Sequence, residues 1–139
     1  MTALKVTLAT IAAFIAGNVG ITAGQAVNGI FYPSPEGMDF NDTAALAAWA
    51  STLPLPALLG VEVSYIARSV LCGFTGAVIV PSHGKLVAGI TGVLFTLGNV
   101  ANVMAIPHPM WMVVMTMVTF LPLTFAGAAL GAKLRPPTP

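Results

Sequence analysis

The sequence predicts an all-α membrane protein with four transmembrane helices in one domain spanning residues 1–139. Three observations carry that prediction. Sixteen of the 20 residues from Val87 to Ile106 are apolar or glycine, and three more stretches of the same character occur in the 139 residues. A helix needs about 20 predominantly apolar residues to cross hydrocarbon. The composition is 57% hydrophobic and 6% charged, with a mean hydropathy of +0.92, whereas soluble domains carry roughly 25% charged residues. Five Lys or Arg and four Asp or Glu are too few to cover a water-facing surface. Prolines also punctuate the gaps, at Pro33 and Pro35, Pro54 and Pro56, Pro81, and Pro107 and Pro109. Each sits near a helix start or just past a helix end, where proline costs least.

The first span runs from about Val6 to Phe31. Lys5 and the small residues of Gly24-Gln25-Ala26 resemble a signal peptide. The apolar character continues to Tyr32, however, so a retained helix is expected. Residues 33–56 form the one sizeable segment outside the bilayer. Asn41 or Asp42 is placed to cap a short helix through Leu53. One helix from Thr43 to Val80 would be ~57 Å long, about twice the hydrocarbon thickness, so a break is expected at Pro54 and Pro56. Ala44 to Leu53, with Trp49, then lies along the outer interface as a short helix or forms an ordered loop over the bundle. The second span covers about Ala57 to Val80, the third Leu86 to Ile106, and the fourth Met110 to about Ala132. Pro122 bends the fourth span and frees a carbonyl about one turn earlier.

Orientation follows from the cations in the short flanks. Lys5, Lys85, Lys133 and Arg135 all fall on one side, while the first connection carries Glu36, Asp39 and Asp42 and the third carries His108. Both termini are therefore expected in the cytoplasm. Tyr32, Trp49 and Trp111 map to the opposite face, as an interfacial aromatic belt would.

The two halves of the chain share features. Asn28 precedes Pro33-Ser34-Pro35 by five residues, and Asn102 precedes Pro107-His108-Pro109 by five. Gly17-Asn18-Val19 parallels Gly98-Asn99-Val100. Phe74-Thr75-Gly76-Ala77 parallels Phe125-Ala126-Gly127-Ala128. One reading is a two-helix unit repeated in parallel, a 2+2 arrangement about an axis along the membrane normal. The other is chance matching among abundant Gly and Ala.

Small residues let helix backbones approach in lipid. Ala16, Gly20 and Gly24 form such a strip on the first helix, and Gly127 with Gly131 form another on the fourth. On the second helix Glu62, Tyr65, Ser69, Cys72 and Gly76 follow three-four spacing and share a face. Arg68 lies beside that stripe near mid-span, where an Arg costs at least ~2.5 kcal/mol. It must face protein, a polar cavity or water. Glu62 is about 9 Å away along the axis and ~120° around it, so partners on other helices are favoured over a local pair. Asn18, Gln25 and Asn28 on the first helix and Asn99 and Asn102 on the third complete the candidate polar interior, with Thr116 and Thr119 on the fourth. These groups either converge on Arg68 as a solute site or serve as interhelical hydrogen-bond glue, worth ~0.6 kcal/mol each.

Other chemistries find little support. Cys72 is a lone cysteine in an apolar run and reads as a packing residue. His83 and His108 lie in opposite loops without other ligands at metal spacing. Met110, Met112, Met115 and Met117 are dispersed around their helix and read as adaptable packing. No phosphate loop, nucleophile–base set or zinc signature is present. The scattered basic residues give no nucleic-acid surface, and no cofactor is expected.

Pro107-x-Pro109-x-Trp111, Leu121-Pro122 and Gly127 form a pattern with Tyr32-Pro33, Asp39-Phe40-Asn41-Asp42 and Gly76-Ala77. Over most of its length the chain resembles an uncharacterised family of small four-helix bacterial inner-membrane proteins. The resemblance implies the topology and the bacterial inner membrane, and it brings no activity. In that family a His on the second helix and an Asp on the fourth would be sought. Ser69 and Thr116 stand there in this chain, which departs from His–Asp proton chemistry.

The expected function is a non-catalytic accessory or scaffold subunit, in contact with lipid and with copies of itself or other membrane subunits. The alternative is a small carrier or channel for an anionic or polar solute, with Arg68 at its midplane site. The charge pattern makes a direct prediction. A cysteine replacing Asp39 should react with impermeant reagent added outside, and one replacing Lys85 should not. Labelling of the Asp39 position from the cytoplasm would overturn the orientation.

Overall fold

A computed structural model describes residues 2–106 and 108–134. Pro107 and Arg135, used above for punctuation and orientation, lie outside the described residues. Five α-helices follow in order: α1 Thr2–Phe31, α2 Thr43–Thr52, α3 Leu55–Ile79, α4 Gly84–Ala105 and α5 Met110–Lys133, with a 3-10 turn at Pro81–His83. Four of them, α1, α3, α4 and α5, are long and apolar enough to cross a membrane. The chain is thus an all-helical, multi-pass membrane protein by the length and composition of its helices.

Local chemistry sets the helix ends. Tyr32 N–H donates to Asn28 O at 3.0 Å, closing the last turn of α1 just before Pro33, which disfavours helical geometry in the residue preceding it. Asp42 caps α2, its carboxylate accepting from Ala44 N and Ala45 N at 3.0 and 3.1 Å. Asn41 instead binds the side chain of Asp39. Pro54 forms the N-cap of α3 and Pro56 sits in its first turn, where the missing N–H is not needed. Pro109 forms the N-cap of α5, and Pro122 is accommodated inside that helix.

The hub of the bundle is α3. Its main neighbours are α1 and α5, with α4 against the other side; α4 also packs on α5. Gly17, Gly20, Gly24 and Asn28 of α1 meet Arg68, Ala67, Ser64 and Gly60 of α3 in turn, so these two helices run antiparallel. Thr116, Gly127 and Gly131 of α5 meet Glu62, Val70 and Phe74 of α3, so these two run parallel.

The α3–α5 seam is made by glycine. A Cβ on Gly73 would collide with the Thr124 carbonyl, and one on Gly127 with the Val70 carbonyl. The contact is therefore backbone on backbone. Gly131 extends it, since a Cβ there would stand 2.7 Å from Phe74 O. The strip on α1 packs against side chains instead, with Gly24 lying against Ser64 and Gly20 facing Leu71 Cδ1.

Buried hydroxyls are satisfied within their own helices. Ser64, Ser69, Thr91 and Thr124 donate to Gly60 O, Tyr65 O, Val87 O and Leu121 O at 2.7–3.0 Å. Such back-bonding places small polar residues in an apolar interior at little cost. The outer faces carry exposed Ile11, Ile15, Val63, Leu97 and Val118, a surface suited to hydrocarbon and too apolar for water.

Gly73→Ala and Gly127→Ala should each lower unfolding stability in detergent by about 1–3 kcal/mol through overpacking. Gly24→Leu should weaken the α1–α3 contact in the same way. Gly29→Ala is the control, because its Cβ would meet nothing within 4 Å; it should be neutral or stabilising by ~0.5–1 kcal/mol. Denaturant titration by circular dichroism reads all four. Equal stability across the set would mean that the seam does not hold the bundle.

Candidate functional site

The backbone-on-backbone contacts of α3 with α5 lie toward one end of the bundle. There Ala77 meets Gly84 and Val87 meets Gly76. Toward the other end the facing residues are the larger Asn28, Tyr65, Asn99 and Asn102, and a cavity of about 610 Å³ opens between α1, α3 and α4. The α2 segment covers its mouth with Leu46, Trp49, Ala50 and Leu53, which share one helical face at i, i+3, i+4 and i+7. Arg68 is the deepest-set charged residue lining it. On the far side of Arg68, Ala9, Ala13, Cys72 and Val87 are fully buried.

Two helices, α1 and α4, hold the guanidinium of Arg68. Its Cζ lies 3.7 Å from the centroid of the Phe95 ring of α4. That ring stacks on Phe14 of α1, with centroids 5.0 Å apart and planes at 18°. A half-buried cation over an aromatic face gains about 0.5–2 kcal/mol. Arg68 Nη2 donates to Asn18 Oδ1 at 3.4 Å, the long end of hydrogen bonding, while Asn18 Nδ2 donates to Phe14 O at 2.8 Å. Gly17 makes room for the stack: a Cβ there would stand 3.0 Å from Phe95 Cζ and 3.2 Å from Arg68 O. Arg68 Nε is buried without a hydrogen-bond partner.

The other sequence-selected residues separate into groups. Asn28 Nδ2 donates to Ala57 O at 3.1 Å, tying the end of α1 to the start of α3. Asn102 Nδ2 donates to Tyr65 Oη at 3.4 Å, and the Tyr65 ring meets Phe120 edge-on at 5.7 Å. Asn99 lines the cavity and is 7% exposed, yet its Nδ2 has no partner. Gln25 lines the cavity from an exposed position on α1. Glu62 belongs elsewhere. It is 2% exposed, and its two carboxylate oxygens lie 2.9 and 3.2 Å from Thr116 Oγ1 on α5.

Phe95 and Phe14 are the site residues that sequence reasoning missed. A signal for each exists. Phe95, Asn99 and Asn102 stand at i, i+4 and i+7 on one face of α4, and Phe14 precedes Asn18 by four. His108 at the mouth was passed over as a lone loop histidine; its Nδ1 lies 2.6 Å from Ile106 O.

With protein-family models, curated proteins and solved structures, the chain gives no match. The site therefore rests on its own geometry.

The separation of Glu62 from Arg68 makes two predictions measurable by equilibrium unfolding in detergent. Thr116→Val should cost about 1–3 kcal/mol by stripping a buried carboxyl of its hydrogen-bond partner, whereas Thr119→Val, on an exposed bond to Met115 O, should cost much less. The losses of Arg68→Gln and Glu62→Gln should add to within ~0.5 kcal/mol. Partial rescue in the double variant would reveal a pair that the geometry does not contain.

Proposed function

We propose that this chain is a small, non-catalytic carrier that binds an anionic or polar solute at Arg68. One observation carries the reading. A guanidinium near the middle of a membrane-crossing helix stands at the inner end of a cavity, and its contacts among the described residues are Asn18 and Phe95, neither of them a carboxylate. A structural role alone would favour an acidic partner or a cheaper amide, because an uncompensated cation in the bilayer is expensive. The fully buried Ala9, Ala13, Cys72 and Val87 directly beyond Arg68 favour a carrier, which exposes its site to one side at a time, over an open channel.

The setting of this reading is the bacterial inner membrane, with both termini cytoplasmic and residues 33–56 outside. Its support is the placement of Lys5, Lys85, Lys133 and Arg135 and the acidic first connection. On that orientation the cavity opens outward and α2 lies along the outer interface above it. A parallel 2+2 repeat draws support from α3 and α5. Gly73 and Thr124, each three residues before the matched Gly76 and Gly127, meet one another, as positions near a two-fold axis would.

A second reading, an accessory or scaffold subunit, is favoured by α1. Only Ala9, Ala13 and Gly17 of its 30 residues are buried, which leaves a long apolar flank for another copy or another subunit.

The two readings separate on Arg68→Gln. For a carrier, the variant should insert and fold while losing anion-dependent thermal stabilisation over a panel of chloride, phosphate, acetate, succinate and octanoate; Arg68→Lys should retain part of it. For a scaffold, the variant should leave anion response flat, as in the parent, and change the mass of the complex extracted in mild detergent. Stabilisation by an anion that is equal in parent and Arg68→Gln would sink the carrier site.

A further inference from the structure

The cavity's hydrogen-bond inventory narrows the solute. Among its polar lining groups, Asn28 is committed to Ala57 O, Asn102 to Tyr65 Oη, and His108 Nδ1 to Ile106 O. Two buried groups beside the cavity are left without partners, Arg68 Nε and Asn99 Nδ2. Both only donate. They belong to one locality, because Arg68 lies over Phe95 and Asn99 stands one turn further along the same face of α4. A buried orphan donor is rare in a finished interior, and two of them ask for an acceptor with more than one oxygen.

The charge count restricts that acceptor further. Arg68 is the one Lys or Arg among the lining residues. A single cation in a low-dielectric site neutralises a single anionic charge, and a dianion would leave one charge buried and unpaired. A carboxylate has the matching single charge and two acceptor oxygens, for the Arg68 and Asn99 side chains that line the same cavity. Gln25, Tyr32 and Ser34 add polar groups to the lining, while Ile21, Leu58 and Val61 give it an apolar wall and Leu46, Trp49 and Leu53 an apolar mouth. Its volume of about 610 Å³ lies within the ~300–1,000 Å³ typical of small-molecule sites.

Resting on the carrier reading, we infer that the solute is an amphiphilic monocarboxylate, held with its carboxylate on Arg68 and Asn99 and its apolar body extending toward α2. The carboxylate replaces the missing acidic partner of Arg68, and the body fills the space that polar groups do not claim.

The test uses the full chain in phosphatidylcholine nanodiscs, with Trp111→Phe so that Trp49 reports on the mouth of the cavity. Titration with butyrate, hexanoate and octanoate should change Trp49 fluorescence, with affinity rising about fourfold per methylene. Octanol, octyltrimethylammonium and succinate should bind at least roughly tenfold more weakly than octanoate. Octanoate brominated at its terminal carbon should quench Trp49, and octanoate brominated beside the carboxyl should not. Arg68→Gln should lower octanoate affinity roughly tenfold or more, and Asn99→Ala roughly fivefold. Should Arg68→Gln fail to insert, Asn99→Ala and the two brominated acids carry the test alone. Equal binding of octanol, quenching from the carboxyl end, or unchanged affinity in Asn99→Ala would each overturn the inference. A Trp49 response to phosphatidylglycerol in the disc, with none to octanoate, would assign the cavity to an anionic lipid and also overturn it. Arg68-dependent binding of succinate or phosphate in place of octanoate would end this inference and leave the carrier reading standing. Binding of none of these anions would end both.

Discussion

Close backbone contact along α3 is the constraint from which the rest of the bundle follows. In hydrocarbon, helices gain nothing by hiding apolar surface from one another, so association rests on contact distance and hydrogen bonds. Gly73 and Gly127 bring the α3 and α5 backbones together where even a methyl group would not fit. Gly20 and Gly24 seat α1 against the Leu71 and Ser64 side chains, and Gly76 and Gly84 bring in α4. Helices α4 and α5 come closest to α3 at one end, α1 follows α3 from Gly17 to Asn28, and the cavity lies between α1, α3 and α4 at the other. There the small residues give way to Asn28, Tyr65, Asn99 and Asn102, the helices are held apart by their side chains, and the cavity results. The site lies where α4 has left its close contact with α3 at Gly76 and Gly84.

Arg68 sits where the two regimes meet. Toward the packed end its helix offers Cys72, Gly73 and Gly76, and toward the open end Tyr65 and Val61. The protein stabilises the cation with an aromatic face and an amide oxygen, two partners that carry no net charge. This arrangement differs from an ion pair in a useful way. A carboxylate from α1 or α4 would neutralise Arg68 permanently, whereas Phe95 and Asn18 hold its position and leave its charge available. Glu62, six residues earlier on the same helix, is occupied on the α5 side by Thr116, so the one acidic residue in the span does not compete for Arg68.

The four long helices were legible because lipid imposes a coarse code of length, apolarity and proline punctuation. The expected second span begins at Ala57 and α3 at Leu55; the expected third begins at Leu86 and α4 at Gly84. The stripe Glu62, Tyr65, Ser69, Cys72 and Gly76 could likewise be read from spacing, and all five are buried. Partners were less legible. Helical periodicity shows that Asn28 and Asn18 share a broad face, but not that one clamps Ala57 while the other reaches Arg68. Gln25 belongs to the same face by periodicity and remains exposed, because α1 is covered on one side only. Phe95 escaped notice for a physical reason. An aromatic residue in a span is ordinary lipid-facing or core material until a cation is known to lie over it, and that knowledge requires the register between α3 and α4.

The proposed chemistry ties ligand strength to two donors that the fold leaves unpaired. Arg68 Nε and Asn99 Nδ2 are buried without protein partners, and a buried group without its bond costs about 1–3 kcal/mol. A ligand that supplies the missing acceptors recovers that free energy in addition to whatever its body gains by leaving water. A ligand lacking the acceptors recovers none of it, so discrimination arises from groups the protein leaves unsatisfied. The same linkage bears on α2. The segment contributes its Leu46–Trp49–Leu53 face to the cavity but packs only weakly on the four long helices. An apolar ligand body under that face would give α2 the packing partner that the helices do not provide, and binding and closure would then be one equilibrium.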